Sequence, residues 1–205
     1  ARENHTVALM PQLVRLLELT GVRLKDLSRI AVAIGPGSFT GLRIGLSLAK
    51  GLALSRGLSI SGIPTLDGLA AACLEPERPV WALLQAGRGR YAAALYELRD
   101  ACPARVSDYL VVDGEHLVSA ARNSMRERHT ARILFCGELD ATLRATLETD
   151  LVGRADFASH AVSLRRAAYL AEVAWNCPSA SVEGTLDTLT PYYIPTASLP
   201  QTVGA

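Results

Sequence analysis

The sequence contains the glycine-rich segment Gly35-Pro36-Gly37-Ser38-Phe39-Thr40-Gly41-Leu42-Arg43-Ile44-Gly45, which lies between an apolar run and a helical pattern. The apolar run is Ile30–Ile34, and the apolar spacing after the segment extends to about Leu54. Glycines permit positive φ angles and close backbone approach, and the start of a helix offers free N–H groups and a positive dipole end. The order of strand, glycine-rich turn and helix predicts an α/β fold whose loop contacts an anion or another piece of backbone.

The segment matches neither of the two common phosphate-binding motifs. A P-loop ends in Gly-Lys-Ser/Thr and a dinucleotide fingerprint reads Gly-x-Gly-x-x-Gly, whereas the spacing here is Gly-x-Gly-x-x-x-Gly. Phosphate binding by the backbone N–H groups is one interpretation. We favour the other, a structural loop that packs the start of the helix against the sheet, with Phe39 either in the core or directed at a partner.

Composition and charge narrow the classes of function. With 205 residues, of which 49% are hydrophobic and 20% charged, the chain has the composition of a globular protein with a substantial core. Lys and Arg number 21 against 20 Asp and Glu, which gives a formal net charge of +1. A protein that grips a nucleic acid on its own usually shows a basic excess or a clustered basic face, so strong direct RNA binding is disfavoured.

The cysteines and carboxylates show no pattern of a metal or catalytic site. The four cysteines, which form no Cys-x-x-Cys pair, are Cys73, Cys102, Cys136 and Cys177. We therefore expect reduced thiols in the cytoplasm. The most apolar stretch, residues 44–63, is interrupted by charges, which argues against a membrane span. The scattered carboxylates are interpreted as helix caps and surface residues, namely Asp67, Asp108, Asp113 and Asp140.

Two helical patterns carry the candidate interaction residues. Residues 5–20 have the spacing of an amphipathic helix, with apolar side chains at Met10, Leu13, Val14 and Leu17. The helix predicted over about residues 40–54 has a small residue at every fourth position, namely Gly41, Gly45, Ala49 and Ala53. Because glycine inside a helix costs about 1 kcal/mol relative to alanine, close approach of another element must compensate. That element is either the protein's own sheet or another subunit. Both arrangements are possible on adjacent faces of the helix if Leu42, Leu46 and Leu52 point away from the small-residue stripe.

The remaining pattern predicts short strands and helices on either side of one boundary. Residues 29–34 and 59–63 are predicted as strands, the first buried on both faces, and a helix follows over 65–73. The polar stretch at residues 75–79 contains two prolines and predicts a first lobe over 1–78 and a second over 79–205. The second lobe is predicted to contain a hairpin of strands 80–85 and 91–98, strands at 109–112 and 133–136, and helices at 114–124, 138–149 and 162–176.

At these residues the chain resembles the TsaB (YeaZ) family, a bacterial partner in making threonylcarbamoyladenosine on tRNA. Besides the glycine-rich segment, the similar stretches are His5–Leu13, Gly62–Ala70, Leu84–Tyr91 and Pro191-Tyr192-Tyr193-Ile194. The resemblance is strong over about residues 2–98, thin from there to about residue 185, and returns at the end. It implies an α/β fold of the actin/Hsp70-like (ribonuclease-H-like) type with two lobes.

Two departures from the family pattern modify these expectations. The family usually has Asp at the position of Gln85, so no carboxylate role is carried over to that residue. The family also opens with a strand, an Asp-Thr-Ser-like turn and a hairpin before its first helix, and that opening is absent here. We therefore expect the fold to lack its N-terminal strands and the natural protein to be about 30–40 residues longer, the length of three short strands.

The resemblance implies a non-catalytic subunit that binds and activates a TsaD-type paralogue through helices 5–20 and 40–54. The implied interface residues are Met10, Leu13, Leu17, Gly41, Gly45, Ala49 and Ala53. The family loop comprises Gly35, Pro36, Gly37, Ser38, Phe39, Thr40, Gly41 and Arg43. TsaD proteins carry two histidines four residues apart that can bind a metal ion, and the matching positions here are Thr65 and Leu69. Because leucine cannot ligate a metal, we expect no metal site.

The resemblance also implies the partners of the chain. We expect a heterodimer with the TsaD-type paralogue, contact with a TsaE-type ATPase, a homodimer when the chain is alone, and only indirect contact with tRNA. No cofactor of its own is implied, because ATP is used by the wider complex. Cytoplasmic location without membrane attachment is implied as well.

Two other functions stay open on the sequence. The first is an independent nucleotide-binding hydrolase or group-transfer enzyme that uses the loop at residues 35–45, although the loop has no phosphate-binding lysine and no evident general base. The second is a peptidase with Ser38 as nucleophile, although no histidine is near Ser38 in the sequence. Saturable ATP turnover would support the first, and labelling of Ser38 by a serine-reactive probe would support the second.

Overall fold

The computed structural model describes residues 5–177, 182–183 and 187–194. In this part of the chain the helices are α1 (His5–Thr20), α2 (Phe39–Arg56), α3 (Thr65–Ala71), α4 (Gly114–Glu127), α5 (Ala141–Asp150) and α6 (Ala167–Asn176). The strands are β1 (Arg29–Gly35), β2 (Ser59–Pro64), β3 (Val80–Gly87), β4 (Arg90–Arg99), β5 (Cys102–Arg105), β6 (Leu110–Val112), β7 (Ile133–Gly137), β8 (Ala155–Phe157) and β9 (Val182–Glu183). The predicted α/β class is confirmed, and β5, β8 and β9 are strands that the sequence pattern did not predict.

The strands form two sheets. In the three-stranded sheet, β2 lies between β1, its parallel partner, and β9, its antiparallel partner. The larger sheet has the order β5-β4-β3-β7-β8, and β6 also pairs with β4. Within it, β4 is antiparallel to both β3 and β5, whereas β7 is parallel to both β3 and β8.

The predicted hairpin is confirmed in β3 and β4, where Val80 lies opposite Tyr96 and Gln85 lies opposite Tyr91. Its tight turn requires positive φ angles, which are +77° at Gly87 and +69° at Gly89. Glycine adopts such angles without steric cost, so the turn sequence determines where the two strands meet.

Both faces of the larger sheet are covered by helices, because successive side chains of a strand point to opposite faces. The first core joins the sheet to α4 and α5 and contains Trp81, Leu83, Leu95, Leu117 and Leu143. The second core joins the opposite face to α3 and contains Val80, Ala82, Tyr96, Leu66 and Leu69. The alternation along β3 therefore places one set of residues in each core.

The interpretation of two carboxylates as helix caps is confirmed. The carboxylate of Asp113 accepts the backbone N–H of His116 at 3.0 Å at the start of α4. The carboxylate of Asp140 accepts the N–H of Leu143 at 2.8 Å at the start of α5. Such caps satisfy N–H groups that have no partner within the helix, which explains where these helices begin.

The small-residue stripe of α2 divides between two environments. Ala49 and Ala53 are buried in a core with Val32 of β1. By contrast, Gly41 is exposed and Gly45 is half-buried, and a Cβ atom built at Gly45 meets nothing within 4 Å. Residues four apart advance by about 40° per step on a helix, so the stripe winds through about 120° between Gly41 and Ala53. One end of the stripe packs on the protein's own sheet, and the other end is open.

The expectation that the leucines of α2 point away from the small-residue stripe is wrong for Leu42 and Leu46. Both are buried, and together with Ala49 and Ala53 they follow the i, i+4, i+7, i+11 spacing of one helix face. The helix period, which is shorter than four residues, explains the difference. Leu42 and Leu46 share the buried face with Ala49 and Ala53, and Gly41 and Gly45 lie beside it.

Strand β1 is less buried than the sequence predicted. Val32 and Ile34 are buried on the side of α2, but Ala31, which packs against α6 on the other side, is only half-buried. The side chain of Arg29 at the start of the strand donates to the carbonyl oxygen of Ala174 at 2.9 Å. The three-stranded sheet therefore lies between α2 on one face and α6 on the other.

The expectation of four reduced thiols is wrong for one pair. Cys102 and Cys177 form a disulfide, with their Cα atoms 5.7 Å apart. They meet because α6 returns to the three-stranded sheet and ends beside β5, a contact between residues 75 positions apart that no local pattern shows. Cys73 and Cys136 are free thiols in the core.

Two further expectations concern the chain as a whole. Helix α3 packs in the core of the larger sheet and also contacts α6, β1 and β2, so the boundary between residues 78 and 79 stays a prediction. None of the helices in the described residues combines the length and the hydropathy needed to cross a bilayer.

The interpretation of Asp67 as a cap or surface residue is wrong. Its side chain is 6% exposed, and its carboxylate accepts a hydrogen bond from the hydroxyl of Tyr96 at 2.7 Å. Burial raises the pKa of Asp67 to about 6, although the Tyr96 hydrogen bond and the charge of Arg105 oppose this shift. Burial likewise raises the pKa of Tyr109 to about 12. Asp67 therefore holds its proton in mildly acidic solution, where an exposed aspartate is ionised.

We expect Asp67→Asn to change how the free energy of unfolding depends on pH. The pKa of Asp67 is about 6 when folded against an ordinary value of 3.8. The folded chain binds this proton more tightly, so the stability that the carboxyl contributes is full below pH 4 and lost as the pH rises through 6. The free energy of unfolding of the variant minus that of wild type should rise by up to about 3 kcal/mol between pH 4 and pH 7.

Urea denaturation at a series of pH values measures this difference. Asp108→Asn, a change of the same chemistry at an exposed position, is the matched control and should leave the pH profile of wild type unchanged. A difference between Asp67→Asn and wild type that does not vary with pH would contradict the prediction.

Candidate functional site

The glycine loop joins the end of β1 to the start of α2. Ser38 is the N-cap residue of α2, and its Oγ accepts the backbone N–H of Gly41 at 3.3 Å. The Gly35–Pro36 peptide bond is cis. The loop holds the first turn of α2 against the end of the strand, a geometry that agrees with the structural role favoured by the sequence.

Gly35 is required because another backbone segment comes close to it. Its φ angle is +119°, and a Cβ atom built there would lie 2.4 Å from the carbonyl oxygen of Tyr192. The N–H of Tyr192 donates to the carbonyl oxygen of Ile34 at 2.7 Å. The loop glycine thus accommodates the C-terminal segment of the chain, which docks on the end of β1.

The side chains after the loop form a small cluster at the surface. Phe39 is 53% exposed, and its ring stacks on that of Tyr193 with 5.4 Å between centroids. The guanidinium of Arg43, one helical turn later, lies 3.9 Å from the centroid of Phe39. Thr40 is exposed next to them. Of the two places considered for Phe39, the core is therefore excluded.

Helix α1 exposes an unusually large share of its apolar side chains. At 100° per residue, they cover roughly 220° of the helix circumference. Only the middle of that arc, at Leu13 and Leu17, is half-buried against the rest of the fold. Together with two side chains of α2, the exposed members form what we call the α1–α2 apolar face: Leu9, Met10, Val14, Leu16, Leu19, Phe39 and Leu54.

A shallow groove of about 480 Å³ runs between α1 and α2 within this face. It is lined by Leu9, Met10, Arg43, Ile44, Ser47 and Leu48. A neighbouring groove on the inner side of α1 contains Leu13 together with Gly41 and Gly45. The structure therefore brings residues of the two predicted interface helices together along two grooves.

The predicted interface residues are not all available to a partner. Ala49 and Ala53 are buried against the protein's own sheet, so they cannot contact another chain in this fold. For Met10, Leu13, Leu17, Gly41 and Gly45 the interface role stays a prediction. Sequence reasoning missed Leu9, Leu16 and Leu19, although an apolar arc wider than one helix face was the signal that could have shown them.

The glycine loop also borders a cleft of about 550 Å³, whose lining includes Pro36, Gly37, Ser38, Gln85, Arg90, Glu138 and Arg165. The carboxylate of Glu138 accepts the backbone N–H of Gln85 at 3.0 Å and pairs with Arg165 at 3.0 Å. This pairing offsets one of the two positive charges in the cleft. The cleft has the charge to attract a small anion, and in it the structure places no histidine or lysine of the described residues.

The positions that match the metal ligands of the TsaD pattern, Thr65 and Leu69, are both buried in α3. Over residues 5–177, 182–183 and 187–194, no group of three or more His, Cys, Asp or Glu side chains is arranged to hold a metal ion. The expectation of no metal site stays a prediction.

Comparison with known proteins decides the family. The TsaB protein of Bacillus subtilis is 32% identical over 156 residues, which are 76% of this chain and 66% of that protein. The TsaB protein of Escherichia coli is 42% identical over 67 residues, 33% of this chain and 29% of that protein. The family model of TsaD, tRNA N6-adenosine threonylcarbamoyltransferase, matches residues 1–199. The chain belongs to the TsaB (YeaZ) family of TsaD-like proteins.

Solved structures show the same fold. YeaZ from Pseudomonas aeruginosa has a TM-score of 0.68 at 22% identity, with 93% of this chain and 85% of that chain covered. A second Pseudomonas aeruginosa protein, described as similar to the peptidase YeaZ, has a TM-score of 0.70 at 21% identity, with 94% and 85% covered. The predicted actin/Hsp70-like α/β fold of the TsaB family is thereby confirmed. The matches cover just under two thirds of the Bacillus subtilis protein and less than a third of the Escherichia coli protein.

We expect Gly35→Ala to destabilise this TsaB-family chain by at least about 2 kcal/mol, because the residue has a positive φ angle and no room for a Cβ atom. Gly45→Ala is the matched control, since the position lies in a helix and a Cβ atom there meets nothing within 4 Å. That variant should gain about 0.5–1 kcal/mol. Urea denaturation measures both values, and equal effects of the two substitutions would contradict the steric argument.

Proposed function

We propose that this TsaB-family chain is a non-catalytic subunit that binds and activates a TsaD-type transferase in the threonylcarbamoyladenosine modification of tRNA. The names of the Bacillus subtilis and Escherichia coli relatives, tRNA threonylcarbamoyladenosine biosynthesis protein TsaB, support the pathway. The match to the TsaD family model supports a shared domain with the transferase. The observation that carries the proposal is the α1–α2 apolar face.

This face has the character of a protein-binding surface. Isolated exposed apolar side chains are normal, but here five lie on the 16-residue helix α1, and two of them, Leu9 and Met10, line the groove against α2. The open N-terminal half of the small-residue stripe lies beside it, and at Gly45 none of the described residues fills the space a Cβ atom would take. Close approach by a helix of another subunit would compensate the cost of glycine inside α2.

A paralogue of the same fold is a suitable occupant of this face. Two domains with equivalent helices can pair through equivalent surfaces, as in an isologous dimer. The same reasoning gives a homodimer when the paralogue is absent, because the face is then free to pair with its own copy. The cluster of Phe39, Arg43 and Tyr193 lies at the start of α2, and it supplies aromatic and cationic groups of the kind enriched in interfaces.

In this proposal the subunit catalyses no reaction itself and acts by binding the transferase. It holds the transferase in its active conformation, ATP is used by the wider complex that includes a TsaE-type ATPase, and no cofactor binds to this chain. The formal net charge of +1 favours indirect contact with tRNA, because an independent RNA-binding surface would need a basic excess. Cytoplasmic location belongs to the same proposal.

We expect Leu16→Asp to weaken association with the TsaD-type paralogue of the same organism at least tenfold, which is about 1.4 kcal/mol. Leu16 is 56% exposed on α1, so the substitution places a charge in the proposed interface without disturbing the core. Leu164→Asp is the matched control, because this leucine is 58% exposed and lies outside α1 and α2. Its affinity should stay within about twofold of wild type, or about 0.4 kcal/mol.

Light scattering and calorimetric titration measure this association, after thermal melting has shown that both variants fold. Gly45→Leu extends the test to α2, where an added Cβ atom meets nothing within 4 Å in the described residues but a larger side chain would block close helix approach. Equal weakening by Leu16→Asp and Leu164→Asp would contradict the assignment of the surface. Failure of wild type to bind the paralogue would overturn the proposal, and saturable ATP turnover would then favour the hydrolase.

A further inference from the structure

The Cys102–Cys177 disulfide joins the two sheets of the fold. Cys102 begins β5 at the edge of the larger sheet, and Cys177 follows the last residue of α6. Helix α6 packs on β1 and β2, with Val173 and Ala174 buried in a core that includes Ile63. The covalent bond therefore connects a helix held by one sheet to the edge strand of the other.

The disulfide is accessible from solvent, whereas the other two cysteines are buried. Cys102 and Cys177 both line an open cavity of about 740 Å³, together with Arg99, Arg105 and Asn176. Cys102 is half-buried, whereas Cys177 is buried, so Cys102 is the more exposed residue of the pair. Cys73 and Cys136 are buried in the core of the larger sheet and do not line this cavity.

A hydrogen-bond acceptor for the reduced thiol lies close to Cys102. The carbonyl oxygen of Asn176 lies 3.6 Å from the sulfur of Cys102, where it can accept a hydrogen bond from a free thiol. Contacts other than the bond also hold α6 on its sheet, since Arg29 donates to the carbonyl oxygen of Ala174 at 2.9 Å and Val173 packs in a core with Ile63. Reduction would therefore release the end of α6 from β5 without unfolding the chain.

We propose that Cys102 and Cys177 form a redox modification site that is opened and closed by thiol–disulfide exchange with a thiol or dithiol reductant. A thiolate of the reductant attacks the sulfur of Cys102, the bond between the cysteines breaks, and Cys177 leaves as a thiolate that takes up a proton. A second thiol of the reductant then displaces Cys102 from the mixed disulfide. In sum, two electrons and two protons pass to the cysteine pair, and the reductant becomes a disulfide.

The chemical setting favours exchange over a permanent crosslink. In a reducing cytoplasm, the compartment that the sequence predicts, disulfides that do form are usually transient or redox-sensing. The open cavity gives a reductant a path, and the hydrogen-bond acceptor at Asn176 accommodates the product thiol. Opening the bond frees the link between α6 and β5, so the redox state sets how firmly the two sheets are coupled.

The direct test equilibrates the full chain with a series of ratios of oxidised to reduced glutathione, followed by alkylation under denaturing conditions and mass spectrometry. We expect two alkylated cysteines at the oxidising end, Cys73 and Cys136, and four at the reducing end, with a single transition within the series. A pair that stays bonded at every ratio would overturn the proposal, because the bond would then be a permanent crosslink. A pair that stays reduced at every ratio would overturn it as well.

A second measurement ties the modification to the structure. The melting temperature of the oxidised chain should fall by roughly 5–10 °C when dithiothreitol reduces the bond. Cys102→Ser should melt at the lower temperature and no longer respond to dithiothreitol, whereas Cys73→Ala, the control, should keep the full response. A response that persists in Cys102→Ser, or is missing in wild type, would contradict the coupling of the two sheets by this pair.

Discussion

The fold depends on the return of its C-terminal part to the first sheet. The N–H of Tyr192 bonds to the carbonyl of Ile34, and Leu189 is buried in the core shared by α2, β1 and β2. The first contact needs glycine, because a Cβ atom at Gly35 would lie 2.4 Å from the carbonyl oxygen of Tyr192, and a Cβ atom at Gly62 would crowd the side chains of Leu189 and Ile34. This return places Tyr192 beside the glycine loop and in the lining of the adjacent cleft.

The division of α2 between two environments would allow one helix to serve both folding and the proposed recognition of a partner. A face made of Leu42, Leu46, Ala49 and Ala53 packs on the sheet, and the glycines drift away from that face because a four-residue spacing exceeds the helix period. Burial by Leu42, Leu46, Ala49 and Ala53 compensates the helical glycines in part. The open remainder at Gly41 and Gly45 is what leaves room for a partner.

Sequence patterns predicted the features that depend on local periodicity. The β3–β4 hairpin, the helices and the caps at Asp113 and Asp140 follow from turn residues, apolar spacing and capping chemistry, all of which act over a few residues. The bond between Cys102 and Cys177 and the burial of Asp67 depend on contacts between distant segments, which no local pattern contains. The exposed apolar residues of α1 could be predicted only in part. The sequence shows that the apolar arc is wide, but which residues of the arc remain exposed depends on tertiary packing.

The proposed partner face and the redox site lie on opposite sides of the three-stranded sheet. Alternating residues of β1 separate them, with Val32 and Ile34 on the side of α2 and Ala31 on the side of α6. A change at the end of α6 can reach α2 through the sheet, whose β1–β2 pairing extends from Arg29 to Gly35, or along α6 itself, because Ala167 and Leu170 line the groove beside α1 and α2. Because that pairing is continuous apart from one irregularity near Gly35, opening the disulfide should leave the α1–α2 apolar face in place. The two proposals are therefore physically separable, and the failure of one leaves the other standing.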